Sequence, residues 1–389
     1  MPYLLSLKFG IDTQNNPATA AHFDHYQSHV PEPVARGRLL AIMTPVAAGT
    51  LSQGSAIIIA DPEQIGGPCV EIREENGQYS VFSRIAGFPA FTGERLCVSP
   101  DLRIAGDVNF HTGNIDCDGD LLVEGSILAG FKVSAKQLTV NGTIENAEIS
   151  CSGNLVCKGG IVGCQDRALK CGGSLWCKYV ENSSLEVKQN IFISGSCLHS
   201  RMLAGGNIVL CRDGSVLVGG RSEAGQAIFA SIYGARRATP TELKTGNDPF
   251  LARDAVVLRD RQEELEKQLS ELNERRLEIE TFFSLNPAAE IPAGLREEQE
   301  IVNGRIAHKS ARLAEMQARR QRLQQTAAAF RQRYPEPRIV VCEHIFSGVH
   351  LEIGAVATRL EDEGPAAVYG ENNGAILNLA VGAPEPGTI

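Results

Sequence analysis

Leu102-Arg103-Ile104-Ala105-Gly106-Asp107-Val108 decides the fold, because it returns. Its pattern is apolar, any, apolar, any, Gly, any, apolar. The next copies are Leu121-x-Val123-x-Gly125-x-Ile127, Leu138-x-Val140-x-Gly142-x-Ile144 and Leu155-x-Cys157-x-Gly159-x-Ile161. A weaker copy opens at Leu175-x-Cys177-x-Tyr179. Ile191-x-Ile193-x-Gly195-x-Cys197 restores it, and Ile208-x-Leu210 starts another. The leading residues are 19, 17, 17, 20, 16 and 17 positions apart. A period just under 20 with strand-type alternation gives one coil of a stacked solenoid per repeat.

Alternation sets the inside. Side chains at positions 1, 3 and 7 of each phrase share a face. Stacking therefore predicts one inward ladder from Leu102 to Ile208 and a second from Ile104 through Cys157 and Cys177 to Leu210. The Gly suits a corner where a Cβ would crowd the next coil. A shorter strand precedes each phrase, as in Ile149-x-Cys151 and Leu185-x-Val187, and polar turns such as Gly119-Asp120, Gly153-Asn154 and Gly206-Asn207 follow it. Two or three strands per coil, parallel between coils, make a parallel β-helix. Its irregular coil lengths point to the right-handed kind.

The 389 residues allow two or three domains. Aromatics are scarce at 6%, and 39 glycines suit a narrow solenoid with little room for rings. A net charge of −9 gives no global case for nucleic acid or an anionic membrane as partner. The start, Met1-Pro2-Tyr3-Leu4-Leu5, has no basic region and too short an apolar run for a signal peptide. No stretch reaches the roughly 18 apolar residues of a membrane span. The expected compartment is the cytoplasm.

Eleven cysteines invite a metal or disulfide reading until they are placed on the repeat. Cys117, Cys151 and Cys171 each precede a leading apolar residue by four positions, and Cys157 and Cys177 stand in the second ladder. Cys-x2-Cys pairs are absent, so core packing by reduced thiols is the expectation. The run His22-x2-His25-x3-His29 could share a helical face, but only Asp24 is close, and a solvated segment outweighs a metal site.

Four regions follow. Residues 1–95 read as a small β-rich domain, whose Phe82 to Val98 stretch is expected to cap the first coil. Residues 96–249 are the solenoid. Residues 250–335 carry Leu258, Leu265, Leu272 and Ile279 spaced by sevens, a break at Pro287 and Pro292, and a second arm with Val302, Ile306, Leu313, Met316 and Leu323. This predicts an inserted antiparallel coiled-coil hairpin with arms about 45 Å long. Arg253 to Glu280 is acidic on balance and Arg305 to Arg333 strongly basic, which interhelix charge pairing explains better than nucleic acid. Residues 336–389 return to strands, expected to dock on the end of the solenoid.

This order of parts resembles the flagellar assembly protein A family. Gly159-Gly160-Ile161-x-Gly163, Glu181-Asn182, His199-Ser200 and Gly219-Gly220-Arg221 carry the likeness. So does Thr241-x-Leu243-x-x-Gly246-x-Asp248-Pro249. Arg36-Gly37-x-Leu39-Leu40-Ala41 matches more loosely. Tyr179 in place of a corner Gly and the His-rich start depart from the family pattern. The resemblance implies a non-enzymatic part in flagellar assembly or placement, exercised through protein contacts, and brings no set of catalytic residues; no cofactor-binding or metal residue is expected.

Two other classes compete. Carbohydrate-active β-helices need clustered acids on an outer sheet. The outward positions here include Arg103, Glu124, Asn141, Lys158, Trp176, Lys178 and Ser194, with no two carboxylates in adjacent coils. His199 beside Ser200 has no evident acid partner, and the Gly-Gly pairs lack the helix and Lys of a phosphate loop. A self-stacking scaffold like the bactofilins needs open end coils, which both terminal regions are placed to block. The outer row Val156, Trp176 and Phe192 is apolar for a solvated sheet and fits a covering segment of this chain or a partner, while the hairpin is expected to present a surface for a partner or a second copy.

Overall fold

The structure, a computed structural model, describes residues 3–8, 32–46, 57–91, 95–286 and 292–379. Its main body is a parallel β-solenoid of about eight turns with an inserted helical hairpin and a small antiparallel N-terminal sheet. Each coil has three faces. On the first, Leu102, Leu121, Leu138 and Leu155 pair in register, followed by Leu175, Ile191, Ile208 and Ile228. All are buried, as is the second ladder from Ile104 to Leu210. The second face stacks Val108, Ile127, Ile144, Ile161, Val180 and Cys197. The third stacks Ile115, Val133 and Ile149, then Leu169, Leu185 and Met202. Each aliphatic side chain removed from water this way contributes about 1.5–3 kcal/mol.

The corners explain the glycines. A Cβ on Gly142 would stand 2.7 Å from the Gly125 carbonyl carbon, and one on Gly195 would stand 2.7 Å from the Lys178 carbonyl oxygen. The first coil has no coil below it, and a Cβ on Gly106 meets nothing within 4 Å. At the next corner the chain turns through positive φ, at Gly130, Asn146, Gly163, Asn182, His199 and Gly219. Gly and Asn are the residues that adopt this conformation most readily.

The weak phrase at Leu175 has a simple cause. Its corner is one residue short, so Lys178 stands at the level of Gly159, donating its N–H to the Gly159 carbonyl at 2.9 Å. Tyr179 pairs instead with Gly160, which leaves room for its ring. Lys178 therefore takes the place of the corner glycine, one position earlier than the aligned phrases suggest.

Residues of the N-terminal region form a five-stranded antiparallel sheet. Its order is Ile57–Ile59, Tyr3–Leu7, Leu39–Pro45, Gln78–Ser83, Val70–Glu75. Leu5, Leu40, Met43 and Val81 make its core. The following strand pair, Phe88–Phe91 and Leu96–Ser99, sets Phe88 into the solenoid's own core.

The helices are α1, Pro249–Leu285, and α2, Ala293–Arg333. Asp248 caps α1, its carboxylate accepting the Phe250 N–H at 2.8 Å. Leu258, Leu265 and Met316 form the buried seam, with Leu313 and Leu323 against it.

After α2 the chain does more than dock. Arg338–Ile345 pairs in parallel with Ala227–Tyr233, and Val349–Ile353 with Thr241–Thr245. Ile339 stands on Ile228, so these strands are a further coil of the same solenoid. The hairpin hides this in the sequence by separating Ile228 from Ile339. Gly364–Asn372 and Val356–Arg359 then add antiparallel strands on top.

Two substitutions test the corner argument. Gly142→Ala should cost about 1–3 kcal/mol in a urea melt, because the stacked backbone must shift. Gly106→Ala should stay within about 0.5 kcal/mol of the parent. Equal effects at the two sites would show that coil-to-coil approach is not the constraint.

Candidate interaction surfaces

The chemistry-bearing residues are largely used up by the fold. Ser200 is buried, its hydroxyl donating to the Leu198 carbonyl at 2.7 Å and accepting the Ser183 N–H at 3.1 Å. His199 sits over Gly219, where a Cβ would come within 2.5 Å of its Nδ1. The Ser200 hydroxyl is thus engaged with backbone groups of two coils, and His199 fills the space over Gly219. At the third corner, side-chain amides run between coils. The Asn154 Oδ1 accepts the Ser174 N–H at 2.9 Å, and the Asn190 Oδ1 accepts the Asn207 N–H at 2.8 Å. Among the described residues no three His, Cys, Asp or Glu side chains gather at one metal-sized site. His22, His25 and His29 lie outside the described residues.

Seven cysteines are buried and none of the eleven is in a disulfide. Burial pushes the Cys157 thiol up to about 11 and the Cys197 thiol up to about 12, and holds Cys177 well above the ordinary range. Such thiols are neutral packing groups rather than nucleophiles. Cys211 and Cys342 are the exposed ones.

Two surfaces remain. The first is an apolar column on the outside of the first face. Val156 pairs with Trp176 and Trp176 with Phe192, whose rings stack with centroids 5.4 Å apart. The column continues past Phe192 through Val209 and Phe229. The same outward position in the phrases at Ile208 and Ile228 carries that signal. Trp176 remains 38% exposed, so no described segment covers it.

The second surface is the hairpin. Its root is clamped to the solenoid by several contacts. The Lys188 ammonium lies 3.6 Å over the Phe250 ring, Arg253 bonds Glu186 at 2.8 Å, and Arg331 donates to the Asn247 Oδ1 at 3.1 Å. Phe330 fills the space above Gly225, where a Cβ would meet its ring at 2.6 Å. Interhelix charge pairing is sparse: Arg275 with Glu298, at 2.9 Å, is the one ion pair between α1 and α2 among the described residues. Val256, Val257, Leu277, Phe282, Leu285 and Ile301 are apolar and exposed on its outside.

Thiol labelling reads the core assignment directly. At pH 8 Cys211 and Cys342 should react ahead of the buried thiols, though partial burial holds both above the ordinary thiol range, while Cys157, Cys177 and Cys197 react only when the protein unfolds. The sign with pH follows. Unfolded thiols ionise near 9 and the folded Cys157 near 11, so the unfolded state loses protons first and stability falls as pH rises across that window. Fast labelling of all eleven in the native protein would contradict the buried ladder.

No curated protein and no solved structure matches the chain. A family model does, over residues 100–376. That span opens just before Leu102, runs through the whole hairpin and ends in the last antiparallel strand, Ala375–Asn378. The chain belongs to the Flagellar Assembly Protein A β-solenoid family.

Proposed function

We propose that the protein is a non-enzymatic cytoplasmic scaffold in flagellar assembly or placement, and that it works by presenting its hairpin to other proteins. Family membership supports the flagellar side of this reading. No helix among the described residues is long and apolar enough to cross a membrane. The observation that carries the scaffold reading is where the hairpin sits. Gly225 and Gln226 turn the third corner in two residues, with Arg338 donating its N–H to the Gln226 carbonyl at 3.2 Å in the coil above. The coils on either side of the hairpin are stacked neighbours, as Ile228 on Ile339 shows. Two long helices are therefore not needed to connect them, and helices of this length cost conformational entropy that one narrow seam repays only in part.

A self-stacking filament fits less well. Phe88 and its strand pair lie on the first coil, and the last coil is followed by antiparallel strands. At that last coil a second solenoid has no parallel edge to extend.

Replacing residues 248–336 by a short Gly/Ser link tests the reading. The protein should keep its β signal and a cooperative melt while losing most helical dichroism. A cell carrying only this form should show the same flagellar number and placement defect as a cell without the protein. Normal flagella with the folded, shortened protein would refute the presentation role. Failure to fold would make the hairpin part of the core.

A further inference from the structure

We propose that the distal part of the hairpin binds a second copy of itself, α1 of one protomer against α2 of its partner. The proposal deepens the hairpin reading above and rests on it. Its basis is a pattern of charge that the hairpin does not satisfy internally.

α1 holds nine acidic and six basic residues, and α2 nine basic and four acidic. Along α1, Glu264, Glu271 and Glu278 recur every seven residues, and along α2 so do Arg305 and Arg312. Sevenfold spacing keeps each set on one side of its helix. Both sets flank the seam on the same side. Glu278 and Glu298 each bond Arg275, and Glu298 stands seven residues before Arg305. A groove of about 350 Å³ on this side is lined by Arg261 and Arg312 from the two arms. Yet Arg305 and Arg312 meet no carboxylate among the described residues, and Glu264 and Glu271 meet no cation. Glu264 only accepts a hydrogen bond from Gln268.

The levels match. Lys309 donates to the Gln268 Oε1 at 2.5 Å, which fixes how the arms run past each other. By that register Glu271 lies level with Arg305 and Glu264 with Arg312, within about one turn. A twofold axis along the hairpin would bring each α1 stripe opposite the partner's α2 stripe at the same height. The interface would be isologous, with every contact made twice. The same side also carries apolar surface. Phe282 lies four residues beyond Glu278 and Leu285 seven, and Ile301 lies between Glu298 and Arg305; all three are exposed. Glu264 is about 16 Å along the helix from Arg253, which clears the root contacts.

A polyanion such as nucleic acid fits this side worse, because the carboxylate stripe stands beside the arginines. Charge selects the occupant: the surface complementary to this one is itself.

Sedimentation equilibrium of the 389-residue chain tests this. At low salt the mass should be twice 41.8 kDa, with dimerisation weakening at least tenfold in 1 M salt. R305E/R312E and E264R/E271R should each be monomeric alone, with unchanged helical dichroism. Mixed together they should form a one-to-one heterodimer, because each then faces the opposite charge. Monomeric parent at all concentrations would overturn the proposal. So would dimers in both variants, or binding of a short DNA duplex by the monomer. Flagellar placement by the charge variants is a separate readout. If they stay monomeric and place flagella normally, the second copy is real and the scaffold reading is what fails.

Discussion

The close approach of one coil to the next at its corners governs this molecule. Parallel strands about 4.8 Å apart leave no space for a Cβ where the chain bends over the carbonyl below it. Gly125, Gly142 and Gly159 occupy those places, and Gly172, Gly205 and Gly225 hold the equivalent place at another corner. Once the corners are fixed, the register of all three faces is fixed. A slip of one residue would turn Leu138 and Val140 outward and Thr139 inward. The inward ladders, the neutral thiols and the side-chain amide ladder all follow from that register.

That same constraint explains what was legible in the sequence. Inward positions of the phrase are read by alternation alone, so both ladders and their cysteines could be named residue by residue. The corner glycines made the period visible. What escaped was set by length rather than by type. The missing residue after Cys177 moved the alignment by one, so Tyr179 seemed to replace a glycine whose place Lys178 takes. The coil at Ile339 was hidden because the hairpin separates it from Ile228. The apolar column reached Val209 and Phe229 only when strand pairing put them next to Phe192.

Charge was the least legible property. Opposite net charges on α1 and α2 suggested pairing within the hairpin, since two helices in contact usually arrange their flanks that way. Among the described residues the structure gives one such pair, Arg275 with Glu298; other charges of the hairpin pair within a helix, with glutamines, or, as Arg253 with Glu186, with the solenoid. Net charge counts residues but not the side of the helix they occupy. Glu264 and Arg312 flank the seam at similar heights without reaching across it.

The form of the insertion matters as much as its place. About 90 residues separate Gly246 from Arg338, and both ends must sit on one corner of one solenoid. A flexible loop of that length would raise the closure cost over a two-residue turn by roughly 3 kcal/mol. An antiparallel hairpin returns the chain to its starting point through local contacts, so the ends meet without a long search. The root contacts then orient it: Phe250 under Lys188, Arg253 on Glu186 and Phe330 over Gly225 hold both arms to the coils already formed. The final coil can pair on Ala227–Tyr233 only after this return. A surface carried on such a hairpin has a fixed direction relative to the solenoid, which a tethered helix at a chain end would lack.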